Sequence, residues 1–495
     1  MCKCRTVYYL FFIVIEFLSL KSETFILLSD FREISMIDIT RELAAFCANT
    51  TYEVLPSDVT ERTKLLILDT AGIIIRARHD AESTPSLIAS VERLGLDNGK
   101  CSVLGDSVNY APTAAALVNG TLAHSLDYDD THASASLHSS APIVPAALAA
   151  AEMSGASGKD LIAACIVGYE LQIRLSLALR PSDHYDRGYH PTATCGVFGA
   201  AAAAGKLLGM DADGIQSAFG IALSQSAGSM QFLADGSWTK RSHVGQAAQN
   251  GLICAVMASE GFKGPKAAFE GKWGFLHAYA PDANSDEAVA ELGKRWETLR
   301  LAVKPYPSCR YSHAAMDALI QLKKEHNIDL DEIEEVEVGL AEMGWKIIGN
   351  PEEDKHNPKS VVEGQFSMPF CAAVALREGD MVWDDYAKHI NDKNTLSLCK
   401  KVNVSIDPRV EDMAPDFMSG AVRVKTSTSE YQTMVKIALG EPENFMNEEQ
   451  FRGKFGGLCS PYIGQDKSAK LADALMHLEE ANSIRKIMEL SQPSA

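Results

Sequence analysis

Apolar residues recur at helical spacing over most of the first 300 residues. The stretches SDVTERTKLLILDTAGIII, from Ser57, and GKDLIAACIVGYELQIRLSLAL, from Gly158, place apolar side chains at intervals of three and four residues. Ser57 is a candidate N-cap for the first of these helices. The pattern therefore predicts a mainly helical region from about Ile37 to about Leu301.

Three later segments of this region are rich in alanine and glycine. They read TATCGVFGAAAAAGKLLG, IQSAFGIALSQSAG and VGQAAQNGLICAVMASEG. Small side chains on a helix face let neighbouring backbones approach closely. Several such helices in series predict a tightly packed helical bundle.

The pattern changes after Lys304. The segments DEIEEVEVGLA, KKVNVSIDPRV, SGAVRVKTS and YQTMVKIALGEP alternate or are rich in β-branched residues, which predicts strands. Segments such as SHAAMDALIQLKKEHN and GQFSMPFCAAVALREG predict helices between them. We therefore expect a mainly α fold, in which a large all-helical domain over residues 36–302 is followed by a smaller α+β lid domain over 303–440. The remaining residues, 441–495, are expected to form C-terminal helices that pack back on the helical domain.

The first 35 residues have a different character from the rest of the chain. Basic residues precede an apolar run from Val7 to Leu20 that only Glu16 interrupts, which resembles a signal peptide. No A-x-A cleavage site follows, and the run is short for a membrane span. Met36 opens the first convincing amphipathic helix, MIDITRELAAFC. We expect residues 1–35 to be a leader or a gene-model extension, with a functional targeting segment as the alternative.

Composition excludes several classes of partner. The net charge is −19 and the pI is about 5.2, so the surface repels nucleic acid and anionic membranes. The eleven cysteines are dispersed and form no C-x-x-C pair, which argues against zinc-ribbon and iron–sulfur sites. Such a set is typical of reduced thiols in an intracellular compartment. We expect a cytoplasmic protein, with a mitochondrial location as the alternative.

One loop concentrates titratable side chains between two apolar, alanine-rich segments. HSLDYDDTHASASLH, from His124 to His138, holds three histidines and three aspartates. Ser140 and Pro142 then indicate a helix start, with Ser140 as the cap, and the helix dipole would keep His138 neutral. The loop is a candidate wall of an active site. The alternative is a surface loop whose aspartates serve only as turn and cap residues: Asp127, Asp129 and Asp130.

Three further segments hold basic residues beside a helix start or a proline. A histidine before a helix and a basic cluster in an acidic protein both favour binding of a carboxylate. The alternatives are a plain helix cap for the segment with His190, a solvated basic turn for the segment with Lys240, and a rigid linker for the segment with Lys304. The residues are His190 in GYHPTATCGVFG, Lys240, Arg241 and His243 in DGSWTKRSHVG, and Lys304, Arg310 and His313 in LAVKPYPSCRYSH.

The chain lacks the common sequence signatures of nucleophilic, phosphate and dinucleotide sites. No nucleophile elbow, phosphate-binding loop or Rossmann fingerprint occurs. Acid–base chemistry is then the natural class. Proton abstraction beside a carboxylate needs a neutral histidine or a carboxylate as the base, and cations that hold the developing charge.

Five of these motifs together resemble the MmgE/PrpD family, which includes 2-methylcitrate dehydratases and cis-aconitate decarboxylases. They are HSLDYDDTH, GYHPTATCGVFGAAAAAGKLLG, WTKRSHVGQAAQNGL, KPYPSCRYSHAAMDA and GQFSMPF, and the resemblance runs from about Ile37 to about Leu490. It implies a large helical domain with a smaller α+β lid, a homodimer, and activity without a metal or an organic cofactor.

The resemblance also implies roles for individual residues. His138 and His190 match the catalytic histidines of the family, with Asp127 beside them. Thr131 is implied to line the pocket, and Lys240 and Lys304 match positions that grip substrate carboxylates. From the basic segments we add two further candidates for carboxylate binding, His243 and Arg310.

Two positions differ from the pattern expected of the family's decarboxylases. Met368 stands where a tyrosine is expected, and Cys309 stands near the place of a histidine. We therefore expect a cofactor-independent lyase that dehydrates 2-methylcitrate or a related alkylcitrate. The alternatives are a cis-aconitate decarboxylase, an isomerase or epimerase of a small dicarboxylate, and a non-catalytic carboxylate-binding protein. A metal-dependent hydrolase is a further one, with His124, Asp127, Asp130 and His138 as ligands.

Overall fold

A computed structural model of the chain describes residues 38–493. The predicted leader and the candidate start at Met36 lie outside the described residues. The first part of the chain forms a helical domain, as the apolar pattern predicts. Its principal helices are α1 (Ile39–Asn49), α2 (Ser57–Asp80), α3 (Thr84–Arg93), α4 (Pro112–Ala123), α5 (Ser140–Ser154), α6 (Gly158–Ala178), α7 (Gly196–Leu207), α8 (Ala212–Leu223) and α9 (Thr239–Ser259).

Short elements connect these helices. Strands β1 (Cys101–Ser102) and β2 (Asn109–Tyr110) form a small antiparallel pair that the sequence pattern does not predict. Helix α2 begins at Ser57 itself and follows Pro56, so the prediction of Ser57 as its N-cap is wrong by one residue. Further short helices are Pro181–Asp186, Pro191–Thr194 and Phe275–Tyr279.

The alanine- and glycine-rich helices form the tightly packed centre of this domain. Helices α7 and α9 pack against each other; α7 also contacts α5 and α6, and α9 contacts α4 and α5. At Gly245 of α9, a Cβ atom would overlap the carbonyl oxygen of Leu117 and the hydroxyl of Thr121 on α4. Glycine is therefore required at this crossing, as the small-residue pattern predicts.

Helix α6 is long and apolar enough to cross a membrane, but 94% of its apolar window is buried inside the domain. It contacts α5 and α7, which identifies it as a core helix. The nine cysteines among residues 38–493 are free thiols, and all of them are buried.

The α+β region follows. Its sheet contains β3 (Ile333–Leu340), β4 (Val402–Ile406), β5 (Gly420–Thr426) and β6 (Glu430–Val435) in the order β4-β3-β5-β6. Strand β3 is parallel to β4 and antiparallel to β5, and β5 is antiparallel to β6. The mainly α fold with a smaller α+β region is thereby confirmed. The helices are α10 (His313–His326) and α11 (Met368–Glu378), with short helices Glu342–Gly344, Glu352–Lys355, Val361–Gln365, Asp385–His389, Lys393–Cys399 and Pro408–Glu411.

Residues alternate between the two faces of this sheet, as the period of a strand requires. Val336 and Val338 of β3 are buried in one hydrophobic cluster with Met316 and Leu319 of α10. Glu337, between the two valines, is less buried and pairs with the guanidinium of Arg423 on β5. One face of the sheet therefore packs under helices, and the other carries charged side chains.

The last segment returns to the helical domain. It forms α12 (Glu448–Ile463), α13 (Gln465–Met476) and α14 (Ile484–Leu490). Helices α12 and α13 pack on α2, and α14 contacts α5. All three helices lie within residues 441–495, where C-terminal helices are expected, and α12 contains Gly453, Gly456 and Gly457. Its packing on α2 brings residues near position 454 close to the loop that carries the aspartates.

Candidate active site

The aspartate-rich loop connects α4 to α5 and is fastened to the segment that leads into the lid. Thr131 and Ala302 exchange two backbone hydrogen bonds of 2.8 Å each. On the lid side, the Gln365 side-chain amide donates to the carbonyl oxygen of Leu126 at 2.7 Å. The loop is therefore held from both domains, and its side chains face the junction between them.

Asp127 lies between two lysines that are remote in sequence. Lys240, in the first turn of α9, donates to Asp127 Oδ1 at 3.0 Å, and Lys304 donates to Oδ2 at 3.0 Å. Lys304 also donates to the Asp127 backbone carbonyl oxygen at 2.6 Å. The Asp127 backbone has a φ of 51°, in the left-handed region that residues other than glycine rarely adopt. The lysine contacts offset the cost of this conformation, which is typical of functional sites.

The charges of this trio reinforce each other. Burial alone would raise the pKa of Asp127, but the ammonium groups of Lys240 and Lys304 outweigh it and hold this pKa below its ordinary value. Burial would lower the pKa of Lys240, and the Asp127 carboxylate raises it above its ordinary value. Asp127 and Lys240 are therefore charged at neutral pH.

Asp129 is fully buried between two histidines. Its Oδ2 lies 2.7 Å from Nδ1 of His124 and 3.2 Å from Nδ1 of His138. Burial would raise the pKa of Asp129, but His124 and His138 hold it well below its ordinary value. An ionised Asp129 can orient both rings and stabilise an imidazolium that forms on either of them.

Two further histidines extend this pair into a cluster. The His124 ring centroid lies 4.6 Å from that of His138 and 5.9 Å from that of His190. The His190 centroid lies 5.7 Å from that of His243, and Phe232 packs against both rings. Among residues 38–493, several buried ring nitrogens of this cluster have no hydrogen-bond partner within the protein, so a bound ligand can contact them. They are Nε2 of His124 and the Nδ1 atoms of His190 and His243.

Burial keeps most of these imidazoles neutral. It lowers the pKa of His124 to about 4, despite the neighbouring Asp129 carboxylate. It also lowers the pKa of His190 well below its ordinary value, and nearby His124 and Lys240 lower it further. The His138 side chain is 17% exposed, whereas that of His124 is fully buried. His138 is therefore the ring of this pair that can exchange a proton with solvent.

Asp130 supports the loop rather than the cluster. Its carboxylate accepts hydrogen bonds from the backbone N–H of Ser140 at 3.1 Å and from the Ser140 hydroxyl. Ser140 Oγ also lies 2.9 Å from the hydroxyl of Tyr169. Helix α5 begins at Ser140, and Ser139 precedes it without a side-chain cap. The prediction of Ser140 as an N-cap is therefore wrong, because its hydroxyl fastens Asp130 instead.

Stability should depend on pH through Asp130. Burial, opposed by the Ser140 hydroxyl and reinforced by the neighbouring Asp129 charge, raises the pKa of Asp130 to about 7. Between pH 4 and pH 7 the folded chain then holds a proton that the unfolded chain has lost, since an unfolded aspartate has a pKa of about 3.9. The free energy of unfolding therefore falls as pH rises through this window, by up to about 1.4 kcal/mol per pH unit.

The variant Asp130→Asn removes this contribution. We expect its stability relative to the wild type to increase between pH 5 and pH 7, as measured by urea unfolding at each pH. Asp213→Asn, at an exposed position in the first turn of α8, is the matched control and should show no such trend. A stability difference for Asp130→Asn that does not change with pH would contradict the protonated state of Asp130.

The structure brings most of the residues predicted from the sequence into one region. Asp127, Lys240 and Lys304 are in direct contact, and the histidine cluster lies beside them, since Lys240 lowers the pKa values of His124 and His190. Thr131 lies on the same loop, and its buried hydroxyl has no hydrogen-bond partner within the described chain. The predicted residues that this region contains are Asp127, Thr131, His138, His190, Lys240, His243 and Lys304.

Arg310 does not lie with this group. Its Nε donates to Glu441 Oε1 at 2.7 Å, and its Nη2 contacts the other oxygen of the same carboxylate. It lines a separate cavity of about 130 Å³ together with His132 and Arg300. The prediction of Arg310 as a substrate-binding residue is therefore corrected, because its guanidinium is already occupied by Glu441.

Sequence reasoning missed two members of the region. The sequence names Asp129 only in the alternative, as a turn or cap residue, and His124 only as a possible metal ligand. The signal was the spacing of five residues from His124, at the end of α4, to Asp129 in the loop. A buried aspartate that follows a histidine at a helix end can orient its ring. An aspartate-rich turn in the sequence does not indicate which aspartate is buried.

The two positions that differ from the expected decarboxylase pattern lie on the lid side. Burial raises the pKa of the Cys309 thiol, and the charge of Lys304 lowers it, which places this thiol near the lysine pair. Met368 begins α11 and is fully buried in the same hydrophobic cluster as Cys309. Cys309 therefore lies close to the lysine pair, whereas Met368 is enclosed in the hydrophobic core of the α+β region.

A metal ion would find one possible set of ligands in this region. Ligand atoms of His124, Asp129 and His138 lie within 4.8 Å of one another. The set considered from the sequence is His124, Asp127, Asp130 and His138. In the structure the Asp127 carboxylate binds two lysines, and the Asp130 carboxylate accepts a hydrogen bond from Ser140. Neither carboxylate is therefore free to bind a metal.

Comparison with known proteins agrees with these motifs. The MmgE/PrpD N-terminal domain matches residues 41–288, and the MmgE/PrpD C-terminal domain matches residues 306–480. A cis-aconitate decarboxylase-like protein of Aspergillus oryzae is 29% identical over 483 residues, which is 92% of this chain and 97% of the relative. A cis-aconitate decarboxylase of Aspergillus terreus is 30% identical over 91% of this chain and 95% of its own length. A human cis-aconitate decarboxylase is 26% identical over 86% of this chain and 89% of its own length.

Proposed function

The chain belongs to the MmgE/PrpD family, and from this premise we propose that it is a lyase that removes carbon dioxide from cis-aconitate or a closely related tricarboxylate. The observation that carries the proposal is the contact of Lys240 and Lys304 with Asp127 beside a cluster of four histidines. Relatives named cis-aconitate decarboxylases match the chain over nearly its whole length, which favours decarboxylation as the reaction.

The lysines provide the binding charge. Each ammonium has three donors, and Lys240 gives one of them to Asp127 while its side chain is 30% exposed. A substrate carboxylate can therefore bind Lys240 without displacing Asp127. The charges of Asp127, Asp129, Lys240 and Lys304 sum to zero when the imidazoles are neutral. A trianionic substrate is consequently best accommodated when a histidine is protonated as it binds.

The histidines provide the proton. In decarboxylation, the bond between the leaving carboxylate and the chain carbon breaks, and carbon dioxide departs. The electron pair passes into the neighbouring double bond, which is conjugated with a second carboxylate, and the lysines stabilise the added charge. His138 is held by Asp129 and is exposed enough to take up a proton from solvent. It then donates a proton to the carbon that has gained the electron pair. The reaction consumes one proton for each carbon dioxide released.

Dehydration of 2-methylcitrate or a related alkylcitrate is the second candidate. It uses the same groups, but the histidine now accepts a proton instead of donating one. A neutral imidazole takes a proton beside a carboxylate, and a protonated one helps the hydroxyl leave as water. The observation in its favour is the sequence itself, in which Met368 stands where a tyrosine is expected of decarboxylases and Cys309 stands near the place of a histidine.

Product analysis separates the two reactions. We expect purified protein to release carbon dioxide from cis-aconitate and to form one equivalent of a five-carbon dicarboxylate. NMR measures the formation of this product. A parallel reaction with 2-methylcitrate tests for an unsaturated tricarboxylate formed with no carbon dioxide. Chelator-treated protein is the control for a metal at His124, Asp129 and His138 and should keep its activity. Water loss from 2-methylcitrate without decarboxylation of cis-aconitate would replace the first candidate by the second, and no turnover of either would overturn both.

A further inference from the structure

Lys454 is a buried lysine that lies behind the candidate site and contacts no group of the histidine cluster. It is on α12, and its side chain is 5% exposed. Its ammonium lies 2.6 Å from Asp69 Oδ1 on α2 and 3.7 Å from the centroid of the Tyr128 ring. It donates to the carbonyl oxygen of Lys304 at 2.9 Å and to that of Tyr128 at 3.3 Å.

These two carbonyls belong to the two segments that form the lysine–aspartate contact. Tyr128 lies between Asp127 and Asp129, so its peptide groups set the positions of both carboxylates. Lys304 contributes its ammonium to Asp127 on one side of the backbone and its own carbonyl to Lys454 on the other. Lys454 therefore joins α2, the aspartate loop and the segment before the lid at one point.

Stability alone gives little reason to keep such a residue. Burial lowers the pKa of Lys454, and the Asp69 carboxylate raises it only in part. A buried ion pair costs desolvation that its attraction barely repays, and apolar side chains of similar volume often serve a fold as well. A single donor that fixes two separate carbonyls in a functional loop is a specific geometric task that an apolar side chain cannot perform.

We propose that Lys454, neutralised by Asp69, is a positioning residue that sets the distance between the aspartate loop and Lys304 and thereby the geometry of substrate binding. Its kinetic consequence rests on the function proposed above, whereas its effect on the two segments does not. A shift of about 1 Å in such a geometry can reduce turnover by about a hundredfold.

The test uses the double variant Asp69→Asn/Lys454→Met in the full chain. Both charges leave together, so no unpaired buried charge remains to unfold the protein. We expect KM for the turned-over tricarboxylate to rise about tenfold and kcat to fall about a hundredfold. A purely structural role would reduce the folded fraction and lower kcat while KM stayed the same.

Lys206→Met is the matched control. Lys206 on α7 also donates to two backbone carbonyls, those of Cys47 and Ala48, but neither belongs to the candidate site. We expect this variant to keep the wild-type KM and kcat per folded molecule. A rise in KM for Lys206→Met equal to that of the double variant would overturn the positioning role, because the effect would then follow from any lost lysine.

Hydrogen–deuterium exchange gives a readout that needs no activity. Backbone hydrogen bonds join Thr131 and Ala302 across the two segments. Peptides covering 125–132 and 300–306 should therefore exchange faster in the double variant than in the wild type. In Lys206→Met their exchange rates should be unchanged. If the wild type turned over no tricarboxylate, the proposed function would fail and the exchange experiment would still decide the positioning role. Unchanged exchange in both peptides of the double variant would overturn it.

Discussion

Replacement of Asp129 by asparagine should lower kcat on the tricarboxylate by about 10³- to 10⁴-fold while KM changes little. Asp129 is ionised, and one of its oxygens faces the Nδ1 atoms of both His124 and His138. An asparagine would present either an amide donor or an uncharged oxygen there. The rings would lose their preferred tautomer, and an imidazolium at His138 would lose its counter-charge.

Asp130→Asn is the matched control for this variant. It makes the same chemical change one residue away, at a carboxyl group that faces Ser140 rather than a histidine. We expect its kcat to stay within a few-fold of the wild type. Steady-state kinetics of both variants, corrected for folded protein, make the comparison. An Asp129→Asn enzyme that kept more than about a tenth of the wild-type kcat would contradict the orienting role of Asp129.

The second large effect is expected at Lys304. Lys304→Met should reduce kcat/KM by about 10²- to 10³-fold, the cost of removing one preorganised donor from a site where charge develops. It would also change the summed charge of the two lysines, Asp127 and Asp129 from zero to −1, which opposes entry of a polyanion. The loss should appear both as a lowered kcat, because a donor to the developing charge is gone, and as a raised KM that depends on salt concentration.

Lys323→Met controls for the loss of a lysine elsewhere in the lid region. Lys323 on α10 donates to the carbonyl oxygen of Arg377 at 2.7 Å and has no contact with the aspartate loop. Its variant should keep the wild-type kcat/KM. If Lys304→Met bound and turned over the tricarboxylate as well as Lys323→Met does, the lysine pair could not be the carboxylate clamp.

The sequence pattern predicts much of the fold because the helices and strands are locally consistent. Helix α6 spans Gly158–Ala178, where a helix was predicted from Gly158, and β3 spans Ile333–Leu340 within the segment DEIEEVEVGLA. Helix α12 lies within the residues expected to form C-terminal helices; its glycines weaken local helical preference, and packing on α2 supplies the stability. Local pattern is thus a good guide where packing and propensity agree.

The candidate site was predicted by residue type but not by contact. The sequence shows Asp127, Lys240 and Lys304 as separate charged residues, and their contacts span 113 and 177 positions of the chain. In the sequence Arg310 resembles a substrate ligand. In the structure its guanidinium binds Glu441, which lies 131 positions later in the chain. Partners this distant are set by the packing of whole helices and loops, which no local pattern encodes.

The central claim is that one site binds a tricarboxylate between the lysine pair and the histidines oriented by Asp129. A crystal structure of the wild-type protein with propane-1,2,3-tricarboxylate, a saturated tricarboxylate with no hydroxyl to lose, tests it most directly. We predict carboxylate oxygens within hydrogen-bond distance of Nζ of Lys240 and of a ring nitrogen of His138 or His124. A ligand bound elsewhere on the chain, with only water contacting the lysine pair and the histidines, would contradict this claim.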